Sequence, residues 1–209
     1  MHKFRWFLGA LTVALAVVVA PASVASAAPE TPTTDVRVSE PVVSQSAPGL
    51  EMVGSDVRAS GVSYTTTTAW VRQCATLNCG YHPIPAGRYV DLVCHTSNAG
   101  IFWNMVITQH PTNPNLPIAG FVDTKALAGF DNGQPCSSVG VGPNRPAYEL
   151  WAHSCPAMAC GYGVMQAGHD LAHIADTAQL FEGEIWSLVL DHDNVHKDLV
   201  GFVHRDDLF

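Results

Sequence analysis

The residues able to do chemistry in this 209-residue chain are six cysteines, ten histidines, five tryptophans and five tyrosines. The cysteines are Cys74, Cys79, Cys94, Cys136, Cys155 and Cys160. An even count in a secreted chain reads as a disulfide framework, and no Cys-x-x-Cys pair supports the alternative of a thiolate-bound metal. Cys74/Cys79 and Cys155/Cys160 each enclose four residues. A loop that folds back can bring such positions to the roughly 5.5–6 Å Cα separation a disulfide needs. A redox switch is the rival reading, but the same spacing used twice suits a structural staple.

Nine histidines follow His2: His82, His95, His110, His153, His169, His173, His192, His196 and His204. His169/His173 and His192/His196 recur at four-residue spacing, which places each pair on one face of a helix or a strand. Asp170, Asp191 and Asp193 are close in sequence. Zinc needs three or four converging ligands with supporting carboxylates. These histidines are confined to one part of the chain and fit no signature such as His-Glu-x-x-His. No metal or other cofactor is expected. Nor is a catalytic residue: there is no Gly-x-Ser-x-Gly elbow and no phosphate-cradling glycine loop, and a Cys94 nucleophile would orphan Cys136.

The aromatic stock is Trp70, Trp103, Trp151 and Trp186 with Tyr81 and Tyr162. Trp103 and Trp186 lie on alternating segments and read as core. Tyr81 and Tyr162 each follow Cys-Gly at the end of a stapled segment, where a ring can be held outward; they are the leading binding candidates. Leu77, Asn78 and Met158, inside the stapled segments, are weaker ones.

The elements that must position these residues are duplicated. Trp70-x-x-x-Cys74-x-x-x-x-Cys79-Gly80-Tyr81 returns as Trp151-x-x-x-Cys155-x-x-x-x-Cys160-Gly161-Tyr162, an offset of about 81 residues. The offset persists at Ala86-Gly87 and Ala167-Gly168, at Gly120-Phe121-Val122 and Gly201-Phe202-Val203, and at Leu127 and Leu208. Trp103 answers to Trp186 two residues later than that, so the second copy carries an insertion before Trp186. The counterpart of Cys94 is Ala175, and the counterpart of Cys136 would fall beyond Phe209. Both cysteines are therefore peculiar to the first copy, which pairs them with each other. Each copy reads as short strands of period two separated by turn residues: Val90, Leu92 and Cys94 share a face, as do Ile101, Trp103, Met105 and Ile107.

Each copy resembles a bacterial SH3-like domain. The opening strand is Val71-Arg72-Gln73 or Ala152-His153-Ser154, followed by a long loop and the small-Gly turn. The Trp strand is Trp103-Asn104-Met105-Val106 or Trp186-Ser187-Leu188-Val189. The close is Gly-Phe-Val, where the family usually has Gly-Trp-Val. The cysteine pair in the long loop departs from the common pattern. The resemblance implies an all-β fold of two tandem small SH3-like β-barrels, each with its own core. It also implies a cell-wall peptide or glycan as ligand.

Residues 1–27 read as a signal peptide, with Lys3 and Arg5 before an apolar run and Ala25-Ser26-Ala27 at its end. Residues 28–62, rich in Pro, Ser, Thr and Val, read as a flexible tail. The modules span 63–130 and 145–209, joined by a linker at 131–144. Removing the leader takes away two of ten basic residues and leaves eight against 18 acidic ones, a net charge of about −10. That balance disfavours nucleic acid and anionic membrane as partners, since both are recognised through Lys and Arg. No segment after the leader is long and apolar enough to span a membrane. The expectation is a secreted, extracellular, non-catalytic protein that binds cell-wall peptidoglycan. Its rivals are an inhibitor or interaction protein that presents the stapled loops to an extracellular protein and, after that, a metal-binding enzyme built on the second copy's histidines.

Overall fold

The computed structural model describes residues 50–52, 60–129, 133–140, 144–194 and 197–208. The segment read as a signal peptide and most of the segment read as a tail lie outside the described residues. Among the described residues twelve strands form two antiparallel six-stranded sheets, with no α-helix. In chain order the strands are β1 (Leu50–Met52), β2 (Gly61–Tyr64), β3 (Ala69–Arg72), β4 (Tyr81–Ile84), β5 (Tyr89–Asn98), β6 (Ile101–Gln109) and β7 (Pro117–Asp123). They continue with β8 (Leu150–His153), β9 (Tyr162–Met165), β10 (Leu171–Thr177), β11 (Trp186–Asp191) and β12 (Leu199–His204).

The sheets are ordered β2-β5-β6-β7-β3-β4 and β1-β10-β11-β12-β8-β9, the same order at the repeat's equivalent strands. Even the irregularity repeats: a bulge falls between Leu92 and Cys94 in β5 and between His173 and Ala175 in β10. The glycine of each Gly-Phe-Val lets the last strand cross the first closely. A Cβ on Gly120 would lie 2.5 Å from Arg72 O, and one on Gly201 would lie 2.8 Å from Ala152 Cβ.

Neither sheet closes into the barrel that the resemblance implies. The edge strands β2 and β4 share no ladder, and an isolated bridge from Thr65 to Leu127 ties the end of β2 across to the chain beyond β7. The physical reason is that neither copy fills its interior alone. The cluster lined by Val71, Ile84, Leu92, Val106, Ile118 and Val122 is completed by Cys155 of the second copy. The cluster lined by Leu150, Ala152, Met165, Leu171, Val189 and Leu199 is completed by Cys74 of the first. Between these lies a third cluster drawn from both copies, with Trp103, Met105 and Phe121 packed with Trp186, Leu188 and Phe202.

The expectation of separate cores is therefore corrected. Central strands are buried on both faces, one toward the shared cluster and one toward the copy's own. Met105 and Val106 show the division on β6, and Leu188 and Val189 on β11. Residues 90–94 are all buried for the same reason, so their polar-out alternation fails.

A second correction concerns the tail. Leu50–Met52 pairs with β10, with Glu51 opposite Asp176, inside the stretch read as flexible, and β2 begins within its last two residues, at Gly61. The unfilled half of β10 supplies the reason, because exposed edge amides and carbonyls favour another strand. At the equivalent place in the first copy, His95 bridges Pro135, and the Cys94–Cys136 disulfide pins that connector down. One edge is thus covered by upstream chain and its counterpart by stapled linker.

Candidate functional site

The repeated motif Trp-x-x-x-Cys sets an exposed tryptophan on a strand and a buried cysteine just beyond the strand's end. In β3, Ala69 and Val71 point into the cluster beneath, so Trp70 and Arg72 point out; in β8, Leu150 and Ala152 point in and Trp151 points out. Each first strand forms a hairpin with the next. The cross-strand register sets Arg72 opposite Tyr81 and His153 opposite Tyr162. The tyrosines consequently stand beside the tryptophans. Trp70 and Tyr81 meet edge to face with centroids 4.4 Å apart, and Trp151 and Tyr162 stack at 5.0 Å. All four rings remain about half exposed: 44% and 49% for the first pair, 55% and 53% for the second.

Residue 72 and its counterpart 153 connect these pairs to the stapled loops. The Arg72 guanidinium lies 5.0 Å from the Tyr81 ring centroid and donates to Leu77 O at 2.8 Å and Cys79 O at 3.2 Å. His153 Nδ1–H donates to Cys160 O at 3.0 Å, the equivalent carbonyl, and its ring packs against both Tyr162 and Trp186. A cation over an aromatic face is attractive, so the first pair is poised beside a fixed positive charge. Trp151 of the second pair borders a cavity of about 250 Å³ with Met158, His204, Tyr148 and Asp207, where Tyr148 O–H donates to Asp207 at 2.6 Å.

The three disulfides are Cys74–Cys79, Cys94–Cys136 and Cys155–Cys160, with Cα separations of 5.8, 4.8 and 5.8 Å. The loops they close are not presented freely. Cys74, Ala75 and Cys155 are buried against the opposite copy, joined by Val200 N–H to Gln73 O at 2.8 Å and its counterpart, Ala119 N–H to Ser154 O at 3.4 Å. Gln73 Nε2 donates to Ala152 O, and His82 Nε2 shares a 2.7 Å hydrogen bond with Ser154 Oγ. Between the paired cysteines the exposed residues are the loop tips, Leu77 and Asn78 in one and Met158 and Ala159 in the other. The structure brings Met158 near Trp151, whereas Leu77 and Asn78 border a different cavity, beside Trp103.

The histidines of the second copy are dispersed among separate carboxylates: His169 with Asp191, His173 with Asp176, His192 with Asp198 and His204 with Glu184. Four-residue spacing put His169 near His173 in sequence, but β10 begins between them, and each is drawn to its own acid. His196 lies outside the described residues. Among the described residues no three His, Cys, Asp or Glu side chains gather in a metal-binding group. Ser187 Oγ donates to Asp176 Oδ1, the oxygen that also meets His173, so the hydroxyl faces the acid and not the imidazole. In the first copy, burial and the neighbouring His110 hold the His82 imidazole below its usual pKa, and burial lowers that of His110.

Trp70 and Trp151 were missed as surface residues by sequence reasoning. The available signal was their setting: each sits alone between two small or apolar residues on a strand whose other face must be core. Among the described residues no helix is long and apolar enough to cross a membrane. No family model matches this chain, and comparison with curated proteins and with solved structures likewise finds none similar to it.

Proposed function

We propose that this is a secreted, non-catalytic binding protein whose two SH3-like modules recognise cell-wall peptide or glycan through the Trp70–Tyr81 and Trp151–Tyr162 pairs. The observation that carries the reading is the duplication of an exposed Trp–Tyr pair at equivalent places. A chain that keeps four large rings half out of water on two edge hairpins forgoes their burial energy, roughly 1.5–3 kcal/mol for a large apolar side chain. Flat, rigid rings suit sugar faces and peptide planes, because they offer contact area with little rotamer entropy to lose. Three disulfides suit an oxidising compartment, in keeping with the leader-like N-terminus.

Co-sedimentation with purified peptidoglycan tests the proposal. The protein is expected in the pellet, and Trp70→Ala combined with Trp151→Ala is expected to move it to the supernatant. A wild-type protein that stays in solution overturns it. The exposed tips Leu77 and Met158, at 60% and 53%, favour a second reading in which the partner is an extracellular protein. In that case Leu77→Ala and Met158→Ala weaken binding while the tryptophan variants do not.

A further inference from the structure

The two Trp–Tyr pairs differ in the residue that ties them to the stapled loop. Arg72 stands opposite Tyr81 and His153 opposite Tyr162, and both donate to equivalent carbonyls, Cys79 O and Cys160 O. His153 is 2% exposed, with its ring packed against Tyr162 and Trp186, so it stays within the fold and offers nothing to a ligand. Arg72 is only partly buried. Its guanidinium carbon lies 5.0 Å from the Tyr81 ring centroid and 5.9 Å from that of Trp70, beside both exposed rings.

The guanidinium is held by one nitrogen. Nη1 carries both loop hydrogen bonds, to Leu77 O and Cys79 O, in the loop closed by the Cys74–Cys79 disulfide. Nε and Nη2 form the other edge of the planar fork and make no hydrogen bond to the described residues. Arg145 shows what that edge can do: its Nε and Nη2 donate to the two oxygens of Asp170. Arg205 also meets a carboxylate, that of Asp176, whereas Arg72 forms no ion pair among the described residues. A fork fixed by a stapled loop and two rings has little rotamer freedom left to lose on binding. Its open edge matches the two oxygens of a carboxylate.

With the Trp–Tyr pairs taken as the binding surface, we infer that the first copy recognises a ligand carboxylate. Arg72 Nε and Nη2 grip the two oxygens while the adjoining part of the ligand lies against Trp70 and Tyr81. The second copy has no such cation, so the carboxylate preference belongs to the first copy alone. A peptide C-terminus and an acidic sugar present the same two oxygens.

The probes are acetyl-Ala-Ala with a free C-terminus and its C-terminal amide, and methyl glucuronide and its methyl ester, each titrated into the ¹⁵N-labelled full chain. At least one acid is expected to shift the Arg72 Nε–H resonance and to bind about tenfold more tightly than its neutral form, the scale of a hydrogen bond to a charged group. A response to the dipeptide alone assigns a peptide terminus, and a response to the glucuronide alone an acidic sugar. Arg72→Gln is expected to bring acid and neutral affinities together, and Arg72→Lys to keep only part of the difference. An Arg72 Nε–H resonance unmoved by either acid at millimolar concentration overturns the inference, as does equal wild-type affinity for acid and neutral forms. So does an Arg72→Gln protein that loses acid and neutral probes alike, which would make Arg72 a clamp for the loop alone. Co-sedimentation separates the carboxylate site from wall binding. Wild-type protein that pellets with peptidoglycan without preferring acids overturns the site and leaves wall binding standing. An acid preference in a protein that does not pellet supports the site and removes the wall as its source.

Discussion

Val200 N–H donates to Gln73 O at 2.8 Å, a hydrogen bond from the last strand of one copy to the stapled loop of the other. Next to it, Cys74 bridges Leu199 and fills the second copy's cluster, while Cys155 does the same for the first. Each copy thus lends a loop to its neighbour's interior.

Loss of a staple is therefore expected to be felt in both copies. Replacing Cys74 and Cys79 by Ala frees a loop whose closure contributes about 2 kcal/mol by chain entropy, and it also trims a buried contact in the opposite cluster. Urea unfolding followed at Trp103 and at Trp186 should give one shared, lowered midpoint. A lowered midpoint at Trp103 with an unaltered one at Trp186 would show the copies to be independent.

The Cys94–Cys136 bond closes a longer loop, with a sequence separation of 42 residues. The same entropy relation assigns it about 4 kcal/mol. Cys94→Ala with Cys136→Ala should lower stability by more than loss of either short staple, measured by denaturant midpoint. A smaller loss would mean that contacts other than the disulfide hold the connector against β5.

Gly120→Ala and Gly201→Ala should each cost about 2–3 kcal/mol, because the new methyl meets backbone or Cβ atoms inside 3 Å. Gly129→Ala, whose Cβ would have nothing within 4 Å, is the control and should stay within about 0.5 kcal/mol of wild type. Equal stability of all three would discount the close crossing of β3 with β7 and of β8 with β12.

Tyr81→Ala and Tyr162→Ala should each lose only about 1 kcal/mol, the scale of an exposed aromatic pair across two strands. Phe121→Ala, at a buried ring, should lose about 3–5 kcal/mol. Thermal or urea unfolding of the three variants separates them, and tyrosine losses on the Phe121 scale would make those rings part of the core.

Acid should loosen the interface through His82 and His110, whose rings lie 5.2 Å apart. Both hold a proton less readily folded than unfolded, so the unfolded chain takes up more protons as the pH falls below the ordinary histidine value of about 6.5. Their effect is absent at pH 8 and grows through the folded values below it. His82→Gln with His110→Gln should flatten the fall in urea midpoint between pH 7.5 and pH 5. An identical fall in the double variant would place the pH response elsewhere.

Local spacing was enough to read the duplicated strands, all three cysteine pairings and the burial of Trp103 and Trp186. Each of these follows from repeat offset or from period-two patterning within one copy. The exposure of Tyr81 and Tyr162 was also legible, since they stand at the turn out of a stapled loop. The partnership of each tyrosine with Trp70 or Trp151 was not, because it depends on the β3–β4 and β8–β9 registers. Nor did spacing show that Cys74 and Cys155 exchange places, that Leu50–Met52 completes the edge of β10, or that β6 and β11 are buried on both faces. These depend on two surfaces meeting, and an apolar residue reads the same in sequence whether it faces its own module's interior or its neighbour's. Burial against a second copy leaves no periodicity of its own; only the packed structure decides which copy supplies the missing side chains.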